Sequence, residues 1–161
     1  MTRLIKVLLI LAVIGTAFSL TGCSTTDSDA DYGEAYDADY MMTDYVDQLL
    51  RDGAQIVVGN VEITGSGDDY TVTVAEKKVV SNENYKDGYY IADKNITSTY
   101  PLGSDMGILV KDGDDIKVCT AEEFVQNYSG DSDALYNVYL IGDVVELIQP
   151  LDPEAASQSD K

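Results

Sequence analysis

The segment Gln55–Thr64, QIVVGNVEIT, carries the reading on which the fold turns. Val57, Val61 and Ile63 fall in one phase of a two-residue alternation, with Asn60, Glu62 and Thr64 in the other. Successive side chains of a strand point to opposite faces, so this pattern specifies a strand with one face in a core and one in water. Gly59 sits in the apolar phase. It offers the core no side chain, and it lets the strand bend as closure of a small barrel requires.

Working outward, Gly65-Ser66-Gly67-Asp68 is turn-forming, and Tyr70–Val74 (YTVTV) alternates cleanly, which predicts a hairpin back onto the first strand. Asp87-Gly88 and Asp112-Gly113 mark further turns, the second between Ile108–Val110 and Ile116–Val118. The stretch from Tyr89 to Val118 therefore reads as several short strands. The period changes at Thr120-Ala121-Glu122-Glu123, a capping box that starts a helix running to about Tyr128. Leu135–Ile148 reads as two strands around Gly142-Asp143. The fold class expected is mainly β with one short helix (α+β), built as a small antiparallel β-barrel. Its element order resembles that of the OB-fold, a Greek-key barrel with its helix between the third and fourth strands, and the resemblance is one of topology. An antiparallel α+β sandwich with one helix accommodates the same order.

Before this domain the chain changes character twice. Arg3 and Lys6 precede an apolar stretch, Val7–Phe18, which is the layout of a secretory leader. It is short of the roughly 20 apolar residues that a membrane-crossing helix needs. Leu20-Thr21-Gly22-Cys23 then resembles the lipobox of bacterial lipoproteins. The resemblance implies that residues 1–22 are a signal peptide and that Cys23 becomes the acylated N-terminus. The chain is then expected to be exported and held by lipid on a bacterial cell membrane, with the outer membrane an alternative where the cell has one. Each buried methylene contributes ~0.8 kcal/mol, so two or three acyl chains anchor where one would exchange.

From Cys23 to Met42 the chain is acidic, small and free of basic residues, as expected of a flexible stalk. Asp27, Asp29 and Asp31 match the first alternate ligand positions of an EF-hand loop, but Tyr32 stands where glycine is needed and Ala38 where the bidentate glutamate is needed, so no metal site is assigned. Thr43–Asp52 is expected to form a helix opening a β-rich domain of residues 43–150, and residues 151–161 read as a disordered tail.

The chain carries 29 acidic against 10 basic residues, a formal charge of −19. Nucleic-acid binding depends on phosphate neutralisation by Lys and Arg, so that partner class is excluded. There is no histidine, which removes Ser-His-Asp and Cys-His catalysis and histidine zinc sites. No serine is followed three residues later by lysine, so the Ser-x-x-Lys arrangement is missing as well. No catalytic residue and no cofactor is assigned. Tyrosine is over-represented, 12 against 2 Phe and no Trp. Tyr85, Tyr89, Tyr90, Tyr136 and Tyr139 are candidates for a recognition surface, because rigid amphipathic rings suit one. Tyrosine at a core edge is the competing reading. Cys119 reads as a small apolar residue at a strand end. The function expected is a membrane-anchored, non-catalytic binding domain, its partners the bilayer through Cys23 and an envelope protein or polymer. A carboxylate-dependent hydrolase of an envelope polymer and a structural subunit of an envelope assembly are the alternatives.

Overall fold

The computed structural model describes residues 37–67 and 69–158. The leader, Cys23 and the Asp27, Asp29 and Asp31 triplet lie outside them, as do residues 159–161.

The described chain opens with a helical segment that passes from α1 (Ala38–Tyr40) through a π-helical stretch (Met41–Tyr45) into α2 (Val46–Arg51). The Asp37 carboxylate caps it, accepting the Tyr40 N–H at 2.7 Å. Residues 38–42, expected as the end of the stalk, are thus part of the folded unit. The reason is burial: Met41 and Leu49 are each 4% exposed and pack with Leu109, Tyr139 and Leu147.

The strands that follow are β1 (Gln55–Ser66), β2 (Asp69–Ser81), β3 (Tyr89–Asp112) and β4 (Asp115–Val118). After α3 (Ala121–Asn127) come β5 (Tyr136–Ile141), β6 (Val144–Pro150) and α4 (Pro153–Gln158). The protein is mostly β, one six-stranded sheet ordered β2-β1-β5-β6-β3-β4, and a further β2–β3 pairing closes a cycle through β1, β2, β3, β6 and β5. The expected antiparallel sheet is in fact mixed, because β3 and β6 pair in parallel. A parallel pair needs a long crossover connection, and here β4, α3 and β5 supply it.

The several strands expected between Tyr89 and Val118 are one 24-residue strand followed by a short one. β3 pairs with β2 as far as Pro101 and with β6 from Leu102. Proline, which has no N–H to give a ladder, thus stands where the strand changes partner. The Asp112-Gly113 turn forms as expected, joining β3 to β4 with Asp112 opposite Asp115.

The main core gathers the inward phase of each strand in the cycle: Val61 and Ile63, Val72 and Val74, Ile108 and Val110, Val138, and Val145 with Ile148. Phe124 of α3 joins them at 0% exposure. Helix α3 is held by the expected capping box, in which Thr120 Oγ1 accepts the Glu123 N–H at 3.1 Å and Glu123 Oε2 accepts the Thr120 N–H at 2.9 Å. Thr120→Ala is expected to cost about 0.5–2 kcal/mol. A thermal melt should show a drop of several degrees with the folded baseline unchanged; an unchanged midpoint would show the cap to be idle.

The expected disordered tail, residues 151–161, is ordered in the part that is described. Residues 153–158 form α4, Ser157 is 8% exposed, and the Ser81 hydroxyl donates to its carbonyl. Docking on β2 gives these residues partners that their polar composition does not advertise.

Candidate functional site

The site begins where two neighbouring strands part. The β1–β2 ladder runs from Ser66↔Asp69 down to Gly59↔Glu76 and stops there. Below it Gln55–Val58 pair with β5, while Lys77–Ser81 pair with β3 as a two-stranded arm. Gly59 lies at the fork, where β2 passes so close that an added Cβ would sit 2.8 Å from Val74 Cγ1 and collide with the Ala75 carbonyl.

A groove of about 590 Å³ occupies the gap. Ile56, Val58 and Asn137 form one wall, Lys77, Lys78, Val79 and Lys94 the other, and Leu151 and Ala156 close it. The size falls in the range of roughly 300–1,000 Å³ usual for ligand sites. Ile56, at 46% exposure, is a large apolar side chain left open at this wall.

The basic wall depends on an irregularity in β3. Between the pairs Ala75↔Thr97 and Lys77↔Asp93, the residues Lys94, Asn95 and Ile96 stand opposite Glu76 alone. Asn95 takes φ +56°, and its N–H donates to Asp93 Oδ1 at 2.8 Å. Asparagine is among the few residues that tolerate this left-handed backbone. Bulges of this kind re-aim side chains, and here Lys94 Nζ lies 2.7 Å from Glu76 Oε2. Lys77 Nζ lies 2.9 Å from Asp93 Oδ2. The Asn95 N–H, and after it the Lys77 ammonium, holds the Asp93 carboxyl below its ordinary value. Lys78 is exposed, and among the described residues it has no ion-pair partner.

No family model, no curated protein and no solved structure matches this chain. Its chemistry must be read from the residues themselves.

The five tyrosines proposed as a recognition surface divide. Tyr85 is 52% exposed and stacks on Tyr90 with ring centroids 5.0 Å apart, at the tip of the β2–β3 arm. Tyr90 pairs across from Val80 and Lys78 from Ala92, so by strand alternation these rings share a face of the arm with Lys78. Tyr89, half-buried, lies on the opposite face with Val79 and Ile91. Tyr136 and Tyr139 are corrected to core residues, each 4% exposed. Tyr136 meets Phe124 edge-on at 5.7 Å, and burial pushes its phenol up to about 12. Tyr139 packs under the N-terminal helical segment and donates its hydroxyl to Gln149 Oε1 at 3.0 Å.

Cys119 is 8% exposed, and burial pushes its thiol up to about 12. At neutral pH it is protonated, whereas nucleophilic cysteine chemistry requires the thiolate. A second concavity, about 310 Å³, lies beside Asn60, Glu62, Thr73, Thr97 and Asp131. There the Asn60 amide donates to the carbonyls of Ser132 and Ala134 at 2.9 and 2.8 Å, tying the loop down rather than presenting donors to a ligand.

The lysines of the first groove were missed as a site at the sequence level. Their signal was present: Lys77-Lys78 is the one pair of adjacent basic residues in the chain.

Proposed function

We propose that this protein is an exported lipoprotein, anchored through acylated Cys23, whose β domain binds an anionic component of the cell envelope or its surroundings without catalysing a reaction on it. The observation that carries the binding half is the groove. Three of the 10 basic residues of a chain of charge −19 line one open cavity beside exposed apolar surface. The anchor half rests on the leader and on Leu20-Thr21-Gly22-Cys23. The domain is read as an OB-like barrel. The cyclic strand order, the parallel β3–β6 pair, and a helix that follows the short β4, which lies outside the cycle, and precedes β5, the cycle's fourth strand, all support that reading over a sandwich.

Hydrolysis by a carboxylate pair is the weaker reading at this groove. That chemistry needs two converging carboxyls, and among the described residues no Asp or Glu lines the groove.

Two measurements test the proposal. Membrane fractionation of cells should find the wild-type chain with the membranes and Cys23→Ala in the soluble fraction or unprocessed; unchanged retention and mass would overturn the anchor. The purified chain should bind isolated envelope material in a salt-sensitive way, and Lys78→Glu should weaken that binding by about tenfold, the scale of one charge-assisted contact. Binding indifferent to both salt and Lys78→Glu would overturn the groove.

A further inference from the structure

Lys77, Lys78 and Val79 are consecutive residues of β2, and all three line the groove. Consecutive side chains of a strand project to opposite faces. A cavity that touches all three therefore looks onto the edge of the strand. The pairing register agrees. From Lys77 to Ser81, β2 is laddered to β3, and its ladder to β1 has ended at Glu76. Helix α4 closes the far end, where the Ser81 hydroxyl donates to the Ser157 carbonyl. Between Glu76 and that closure, β2 turns toward the groove an edge whose outward N–H and C=O groups have no strand partner, the kind of edge that templates pairing with another chain.

We propose that the groove takes an extended, carboxylate-bearing peptide as an added strand on the β2 edge at Lys77–Val79. This deepens the binding reading given above and rests on it. Strand addition draws affinity from main-chain hydrogen bonds and specificity from pockets for alternate side chains. Both are present here. Ile56, Val58 and Val79 offer apolar surface for one phase of the peptide. For the other phase, the Lys78 ammonium has no ion-pair partner among the described residues, while Lys77 and Lys94 are already engaged by Asp93 and Glu76. Lys78 is thus the cation available to an incoming carboxylate. A phosphorylated glycan or polyphosphate would find the same ammonium but has no backbone to satisfy the strand edge, so the geometry favours a peptide.

The test uses the full chain in detergent and a blocked synthetic heptapeptide alternating glutamate and valine. Titration calorimetry should show saturable one-to-one binding, and hydrogen exchange should slow at the amides of residues 77–79. The same peptide N-methylated at alternate residues keeps its charge and shape but loses the N–H groups of its pairing edge. It should bind at least about tenfold more weakly, since several main-chain hydrogen bonds are lost together. Lys78→Glu should also weaken the parent peptide about tenfold while melting as the wild type does, because the side chain is exposed and exposed substitutions usually leave stability nearly unchanged.

Absent binding, equal binding of the N-methylated peptide, protection at amides elsewhere, or polyphosphate binding as tightly as the peptide would each overturn strand addition. Envelope binding that remains sensitive to Lys78→Glu would, in those cases, leave the groove standing as an anion site. Envelope binding insensitive to it would remove both readings.

Discussion

Phe124→Ala is expected to destabilise the domain by about 3–5 kcal/mol, the range for truncating a fully buried phenylalanine. Phe124 is 0% exposed and is the largest fully buried side chain among the described residues. It is the residue that commits α3 to the core. Its ring lies 6.0 Å from Tyr128 and 5.7 Å from Tyr136, the latter edge-on. The turn after α3 is also pinned to β1, because Ser129 Oγ accepts the Ile63 N–H at 3.1 Å and donates to the Ile63 carbonyl at 3.2 Å. Truncation leaves a void bounded by strands that cannot collapse without breaking their ladders, which places the cost toward the upper end. Domains of this size have total stability of roughly 5–15 kcal/mol. The melting midpoint should therefore fall by about 10–20 °C, and the variant should bind hydrophobic dye before the wild type unfolds. Phe124→Leu, which keeps most of the volume, should recover more than half the loss. A midpoint within 3 °C of wild type for the alanine variant would show that α3 is peripheral to the core.

What was legible in the sequence was local. The alternation of Val57, Val61 and Ile63 needs a window of ten residues, and the Thr120–Glu123 box needs four. Each is decided by physics that acts within its own window, and both are found as read. The long β3 was not legible, because the bulge at Lys94–Ile96 and the proline at 101 interrupt the alternation on which a strand is recognised. Those interruptions are what allow one strand to pair first with β2 and then with β6. Tyr136 and Tyr139 were ambiguous for a different reason. A tyrosine carries a large apolar ring and one polar atom, and whether it is buried depends on neighbours far away in the chain: Phe124 for one, Gln149 and the N-terminal helical segment for the other. The groove escaped detection for the same cause. It is made from the parting of β1 and β2 and from a bulge in β3, so no window contains it. Only the adjacent Lys77 and Lys78, in a chain otherwise dominated by acids, hinted at it.

Gly59→Ala is expected to destabilise the domain by about 3 kcal/mol, although alanine is the smallest side chain that can be added and glycine is normally a weak residue in a strand. The reason is the neighbour. The new Cβ would lie 2.8 Å from Val74 Cγ1 and collide with the Ala75 carbonyl, and a carbonyl held in a ladder cannot rotate aside. Overpacking a tight site costs typically about 1–3 kcal/mol and occasionally more; a backbone collision belongs at or above the top of that range. The location adds a functional consequence. Gly59 is the last residue of β1 paired to β2 and also pairs with Tyr136 of β5, so relief of the clash must move the fork from which the groove opens. Hydrogen exchange should accelerate at β1 and β2 amides near the fork more than at the β5–β6 hairpin, and peptide or envelope binding should weaken in the fraction that remains folded. Adding Val74→Ala separates the two contacts. It removes both Val74 methyls, at the cost of truncating a buried core residue, and leaves the Ala75 carbonyl, so the double variant should be no more stable than Gly59→Ala alone. A loss below about 1 kcal/mol for Gly59→Ala alone, or full recovery in the double variant, would show that the strand has room to bend and that the glycine is a convenience of the alternation rather than the hinge of the groove.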